Sequence, residues 1–295
     1  MPKKITCSKG IFEYLANMYK KFEFVTHKQL HFDFTTTKHI DRRMLGVLGL
    51  IFVKLKSKNN EIIIKPSKAI KELLIMSGFF EKFPPQGNIP DNLIPYNTFN
   101  GDDNDGYRNY LNKELKEVHE ESIVSYLVTH IMEVFLNVRT HARKNSSKTK
   151  YNNKEVFSSG YYNKEEDYLL ISISNNGKTF NDNIYSKTKI EYINQYEYII
   201  WALKKCHSTT TNRPGGAGLA MLNSLLLQSK GSLIICSGKA YYSISYSENT
   251  IKTFTADLKN PYPGTSICID IPISSFDFIS KIDESEEFSI EDLLN

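Results

Sequence analysis

The sequence predicts an α/β (α+β) protein built in two parts, and three observations carry that expectation. Residues 30–78 alternate short strand-like and helix-like segments. Residues from about 107 to 143 are helical in period, and the chain after them is a series of strand-like runs with two helical interruptions. The length, 295 residues with 40% hydrophobic and 24% charged side chains, exceeds one typical domain and suffices for buried cores.

Taken in order, "LHFDF" at 30–34 alternates apolar and polar residues as a half-buried strand does. From Arg43 to Lys56 the residues Met44, Leu45, Leu48, Ile51, Phe52 and Leu55 recur at helical spacing, and "KNN" ends the run. "EIIIK" at 61–65 is a β-branched strand, followed by a helix that Pro66 or Ser67 starts and Gly78 stops. This strand–helix–strand–helix succession predicts a small α/β layer with a crossover at 1–85. Residues 81–106 are dense in Pro, Gly, Asn and Asp and predict the domain boundary, so 86–118 reads as a connector leading into the long helix. A second domain follows over 119–275. It holds strands at "VFSSGYY" and "YLLISIS", a helix near 191–205 with Trp201, and a Gly-rich loop with a helix to about Gln228. Strands "SLIICSG", "AYYSISYS" and "SICIDIPI" complete it, and the acidic tail over 276–295 reads as an appendage.

Composition narrows the function classes. A formal charge of +4 with Lys spread along the chain is no nucleic-acid footprint. Four cysteines without a C-x-x-C pair argue against zinc or iron–sulfur ligation and suit reduced thiols. The apolar run at 44–53 is too short to span a bilayer, and no apolar core follows the basic N-terminus. The expectation is a soluble cytoplasmic protein with no membrane partner.

Within "EVFLNVRTHA" the residues Glu133, Asn137 and His141 recur every fourth position, so they form one row on a helix. His130 and Tyr126 extend it, and Val124, Val128, Ile131, Phe135, Val138 and Ala142 occupy the opposite side. A solvated helix face accounts for such a row. So does a nucleotide site, where a carboxylate orients and deprotonates a water or hydroxyl and an amide oxygen ligates Mg²⁺. Farther on, Gly215, Gly216 and Gly218 precede a helix, an arrangement that turns backbone N–H groups and the helix N-terminus toward phosphate. It is neither a P-loop nor a dinucleotide fingerprint.

The order of "EVFLNVRTHA", "SISNNGKTF", "RPGGAGLAMLNSLLLQSKGSLIICSG" and "PGTSICIDIPI" resembles the GHKL, or histidine-kinase-like, ATP-binding family over about residues 119–275. The resemblance implies a two-layer α/β sandwich of the GHKL (Bergerat) type that takes ATP and Mg²⁺. It implies that Glu133 is the catalytic base, that Asn137 holds the metal, and that His141 completes the first box. The family's second box, D-x-G-x-G, aligns with Asn175, Asn176, Gly177, Lys178 and Thr179, so the Asp that accepts from the adenine amino group is here Asn175. An Asn-Asn-Gly turn ending a strand explains the same residues. The loop "HSTTTNRPGGAGL" resembles the family's ATP lid, which makes Gly215, Gly216, Gly218 and Leu219 candidate nucleotide contacts. Arg213 is either a phosphate contact or a solvated cation, and His207 reads as structural. Gly264 and Thr265 match the strand element lining the adenine pocket.

The N-terminal part resembles a STAS-like domain, the fold of anti-sigma-factor antagonists, through "HFDF", "IDRRMLGVLGLIFVKLK" and "EIIIKPSKAIKELLIMSGFF". Asp41, Arg42 and Arg43 stand where that family's phosphorylatable residue would be. These resemblances imply an ATPase or nucleotide-controlled switch whose lid is ordered by ATP and whose docking to a protein partner, through the STAS-like domain or acidic tail, is thereby regulated. An anti-sigma-type protein serine/threonine kinase is the alternative, a non-catalytic nucleotide-binding module is another, and a homodimer is compatible with either.

Overall fold

Alternation and helical periodicity place most of the elements found in the computed structural model, which describes residues 1–79, 93–141, 155–204 and 217–276. The chain opens with β1 (Lys4–Ile5), α1 (Lys9–Phe22), β2 (Gln29–Phe34), β3 (His39–Ile40), α2 (Met44–Lys56), β4 (Glu61–Pro66) and α3 (Lys68–Met76). β2 and β4 pair in parallel, Leu30 opposite Ile62, and α2 makes the crossover that parallel pairing needs. The Ser67 hydroxyl accepts the Ile70 N–H to start α3, and Gly78 ends that helix in the left-handed region at φ 68°. α1 was not foreseen, although Phe12, Leu15, Ala16 and Tyr19 line one buried helical stripe.

The stretch read as a boundary and connector supplies β5 (Leu93–Asn100) and α4 (Asn104–Leu115). Asp103 starts α4 by accepting the Gly106 N–H at 2.9 Å. The expected single helix over 107–143 is two, α4 and α5 (Glu121–His141), because the chain turns over residues 116–120, where His119 Nδ1 accepts the Glu120 N–H at 2.8 Å. Then come β6 (Glu155–Asn163), β7 (Tyr168–Asn175), α6 (Phe180–Thr188), α7 (Tyr196–Leu203), α8 (Ala217–Ser229), β8 (Ser232–Ser237), β9 (Ala240–Tyr246), β10 (Ile251–Asp257) and β11 (Thr265–Pro272). The protein is thus mixed α/β. Its centre is a seven-stranded sheet in the order β10-β9-β8-β11-β7-β6-β5, with every neighbouring pair antiparallel.

The two faces of this sheet differ in chemistry. On β7 the residues Leu169, Ile171 and Ile173 point to one side and Ser172 and Ser174 to the other; on β11, Ile267, Ile269 and Ile271 oppose Ser266 and Cys268. The aliphatic face carries α4, α5, α7 and α8 over one core. The small, polar face receives α2, which is apolar around its whole circumference because β4 covers its far side. Short serine side chains let the start of α2 reach the strand backbone. Ser159 Oγ donates to the Arg42 carbonyl at 2.8 Å and accepts the Gly46 N–H at 2.9 Å, while Ser172 Oγ donates to the Arg43 carbonyl at 2.7 Å. Gly46 N–H belongs to the first turn, whose donors have no helical partner, so the sheet caps the helix. Phe12, Leu45 and Leu48 share this second core with Phe157, Cys236, Tyr241, Tyr262 and Cys268. Residues from the 1–85 and 119–275 segments therefore bury one another. The acidic tail expected over 276–295 lies, beyond Phe276, outside the described residues.

Candidate functional site

From Tyr126 to Asn137 the polar row on α5 is not a solvated face. His130 is buried, its Nδ1 donates to the Tyr126 carbonyl at 2.9 Å, and its ring lies 4.3 Å from that of Tyr126, which in turn packs on Phe276. These two residues are structural. Glu133 and Asn137, one and two turns on, are half-buried against α8. A Cβ on Gly218, in the first turn of α8, would stand 2.9 Å from Glu133 Oε2 and 3.2 Å from Asn137 Nδ2. A side chain at this position would crowd the carboxylate and the amide where the two helices meet. Asn137 Nδ2 is sealed from solvent and has no hydrogen-bond partner among the described residues. Such a donor costs about 1–3 kcal/mol unless something accepts from it. Leu219, next along, is buried in the helix-side core.

A second group forms at the end of β7. Asn175 is buried on the helix-bearing face, opposite Thr265 of β11. Its Oδ1 accepts the Gly177 N–H at 3.0 Å, closing the Asn-Asn-Gly turn on itself. Gly264 is needed beside it, because a Cβ there would fall 2.2 Å from the Asn175 carbonyl oxygen. Thr265 and Ser237 hydroxyls share a hydrogen bond of 2.6 Å, and Ser237 Oγ also accepts the Phe180 N–H at 3.0 Å. Thr179 has a structural post: its hydroxyl accepts the Asp182 N–H while the Asp182 carboxylate accepts the Thr179 N–H, a capping box that starts α6. Ser237 escaped the sequence reading because only the strand register places it beside Thr265.

Topology brings the two groups to one end of the sheet. α8 feeds β8 through the short turn at Lys230 and Gly231, so it runs antiparallel to that strand. Its first turn, with Gly218, therefore lies toward the strand end that carries Ser237, Thr265 and Asn175, on the same face. Of the remaining candidates, Arg213, Gly215, Gly216 and the structural His207 lie outside the described residues, as does the side chain of His141. The described residues hold no cluster of three or more His, Cys, Asp or Glu suited to a metal ion. Magnesium makes no such demand, since it binds through one or two protein oxygens together with substrate phosphates and water. The Glu133 carboxylate and Asn137 amide oxygen are hard donors of that kind. No model of a known protein family matches the chain, and no curated protein matches it.

Proposed function

We propose that the protein binds a purine nucleoside triphosphate with Mg²⁺, ATP being the one that the GHKL resemblance implies, at the sheet end between α5, α8 and the β7–β11 pair. The observation that supports the reading is the meeting of Glu133 and Asn137, one turn apart on α5, with the sequence-distant Gly218 of α8, around a buried amide donor without a partner among the described residues. A solvated helix face gives no reason for a glycine at the helix crossing or for burying an amide there. In this reading Asn137 is a metal ligand, and bound Mg²⁺ would neutralise phosphate charge. Glu133 holds and deprotonates the attacking water or hydroxyl. The outcome is hydrolysis, or a nucleotide-controlled change in how the chain docks a protein partner, with the STAS-like N-terminal segment as the docking element.

Isothermal titration calorimetry with Mg-ATP tests this. Binding is expected in the wild type and lost in Asn137→Ala, whereas Glu133→Ala retains binding and stops phosphate release. Absence of heat for any nucleotide at millimolar concentration would sink the reading. Label passing from γ-labelled ATP to a protein, abolished by Glu133→Ala, would turn it toward a serine/threonine kinase. Binding without turnover is a second reading, supported by the commitment of Asn175 Oδ1 to its own turn and of Thr179 to a helix cap.

A further inference from the structure

The two outer strands of the seven-stranded sheet differ in how their edges are guarded. β5 carries Pro95 and a shift of register between Ile94 and Asn97, features that keep an edge from pairing with another strand. β10 has neither, and it pairs with β9 residue for residue from Ile251 to Asp257. The Ser247 N–H donates to the Thr250 carbonyl at 3.0 Å, and this bonded pair sets the alternation along the hairpin. Lys252, Phe254 and Ala256 therefore bond to β9, while the N–H and C=O groups of Ile251, Thr253 and Thr255 point out of the sheet. These outward groups have no backbone partner among the described residues. Apolar side chains are exposed along the same edge, Ile251 by 61% and Phe254 by 53%. At its far end the Asp257 carboxylate accepts the Gln195 and Tyr196 N–H groups, which draws alongside the segment carrying Ile193, 96% exposed.

We infer that β10 docks on the same strand of a second copy of this chain, antiparallel about a two-fold axis at Phe254, so that the two sheets become continuous. This is independent of the nucleotide reading. The backbone admits a two-fold centred on any residue of the strand, and the side chains choose Phe254. Centred there, Thr253 of each copy bonds Thr255 of the other, and Phe254 faces its counterpart in a non-bonded pair, where side chains come closest. Ile251 of each copy falls opposite Asp257 of the other, on the face where Ile193 stands exposed. The charges along this stretch read Glu248, Lys252, Asp257 and Lys259. Run in reverse against themselves, they set Glu248 within one residue of Lys259 and Lys252 within one residue of Asp257, opposite signs each time. A parallel pairing in register would set like on like. One strand thus supplies both halves of every match, which makes a second copy the occupant that the edge fits.

Sedimentation velocity of the full chain at about 1 and about 100 μM tests the inference, since so small an interface belongs to the micromolar range. A species of twice the chain mass is expected at the higher concentration. Thr255→Pro removes an outward N–H and no bond to β9, so it deletes two bonds across the two-fold and should raise the dissociation constant about tenfold. Phe254→Lys sets like charges opposite each other and should weaken the dimer similarly. Both positions are at an open edge, so each variant should melt near the wild type at the lower concentration. Phe254→Cys should cross-link to its own copy under glutathione disulfide, which is reduced to two thiols, because opposed strand residues stand within disulfide reach. Lys252→Cys should not, since its counterpart lies about 13 Å away along the strands. A monomer at both concentrations, or a dimer that neither Thr255→Pro nor Phe254→Lys weakens, overturns the inference. Cross-linking of Lys252→Cys in place of Phe254→Cys overturns the register.

Discussion

Gly218 and Glu133 meet as a backbone and the far end of a flexible side chain, and that pairing decides what a substitution there does. A methyl at Gly218 would press on Glu133 Oε2 at 2.9 Å, which the carboxylate relieves by turning away. Gly218→Ala should therefore leave the melting temperature within a few degrees of the wild type while weakening Mg-nucleotide binding about tenfold, measured by calorimetry beside a thermal melt. Of the site, the i, i+4, i+8 spacing of Glu133, Asn137 and His141 was legible because a helix repeats on a fixed period. The contact with Gly218 was suggested only by order along the chain.

Asp270 is the other residue whose setting makes a measurable claim. Burial raises its carboxyl pKa above the ordinary value of 3.8, opposed by Arg43 at 4.0 Å, and its Oδ1 has no partner among the described residues. The folded state then holds the proton more tightly than the unfolded chain does. The stabilising contribution is full below the unfolded value and is lost as pH rises through the higher folded one. Asp270→Asn should raise the melting temperature at neutral pH, with the gain shrinking toward pH 4, since Arg43 keeps Asp41 through bonds of 3.1 and 2.7 Å. A gain that does not change with pH would contradict this.

At the scale of elements, α2 illustrates how a helix is held by hydroxyls from a sheet. Ser159→Ala leaves the buried Gly46 N–H without its acceptor, while the Arg42 carbonyl loses one donor and keeps the Leu45 N–H. The expected cost is about 1–3 kcal/mol, visible as a lower denaturation midpoint with an unchanged slope against denaturant. α2, β2, β4, β7 and β11 were legible because one period runs through each of them. β10 was not, since its residues are largely exposed and no apolar alternation marks it. β5 was hidden by Pro95 and by the register shift between Ile94 and Asn97, which break the pattern of a strand that still pairs with β6. The break between α4 and α5 falls where apolar spacing continues across a turn, so periodicity alone read one helix.

For the whole molecule, the sheet joins segments that composition divided. Phe157, Cys236, Tyr241, Tyr262 and Cys268 are buried by α1 and α2, and the Tyr262 hydroxyl bonds both the Val47 carbonyl and Ser266. One cooperative transition is expected in differential scanning calorimetry, because neither part keeps its core without the other. Two well-separated transitions would show that the N-terminal segment stands alone. The mixed α/β class was legible in the sequence, whereas the sharing of one core was not, because a boundary rich in Pro and Gly reads the same whether it separates two bodies or loops out from one.

The position of β11 also has a meaning for biosynthesis. It is the last strand of the described chain, yet it lies in the middle of the sheet, between β7 and β8. Until residues 265–272 leave the ribosome, β5-β6-β7 and β8-β9-β10 remain two separate meanders, each with a bare edge where β11 will insert. A nascent chain stalled before Thr265 thus presents the edges of β7 and β8 in addition to the outer ones of β5 and β10, and closure of the pair Asn175 and Thr265 waits for the final strand to be made.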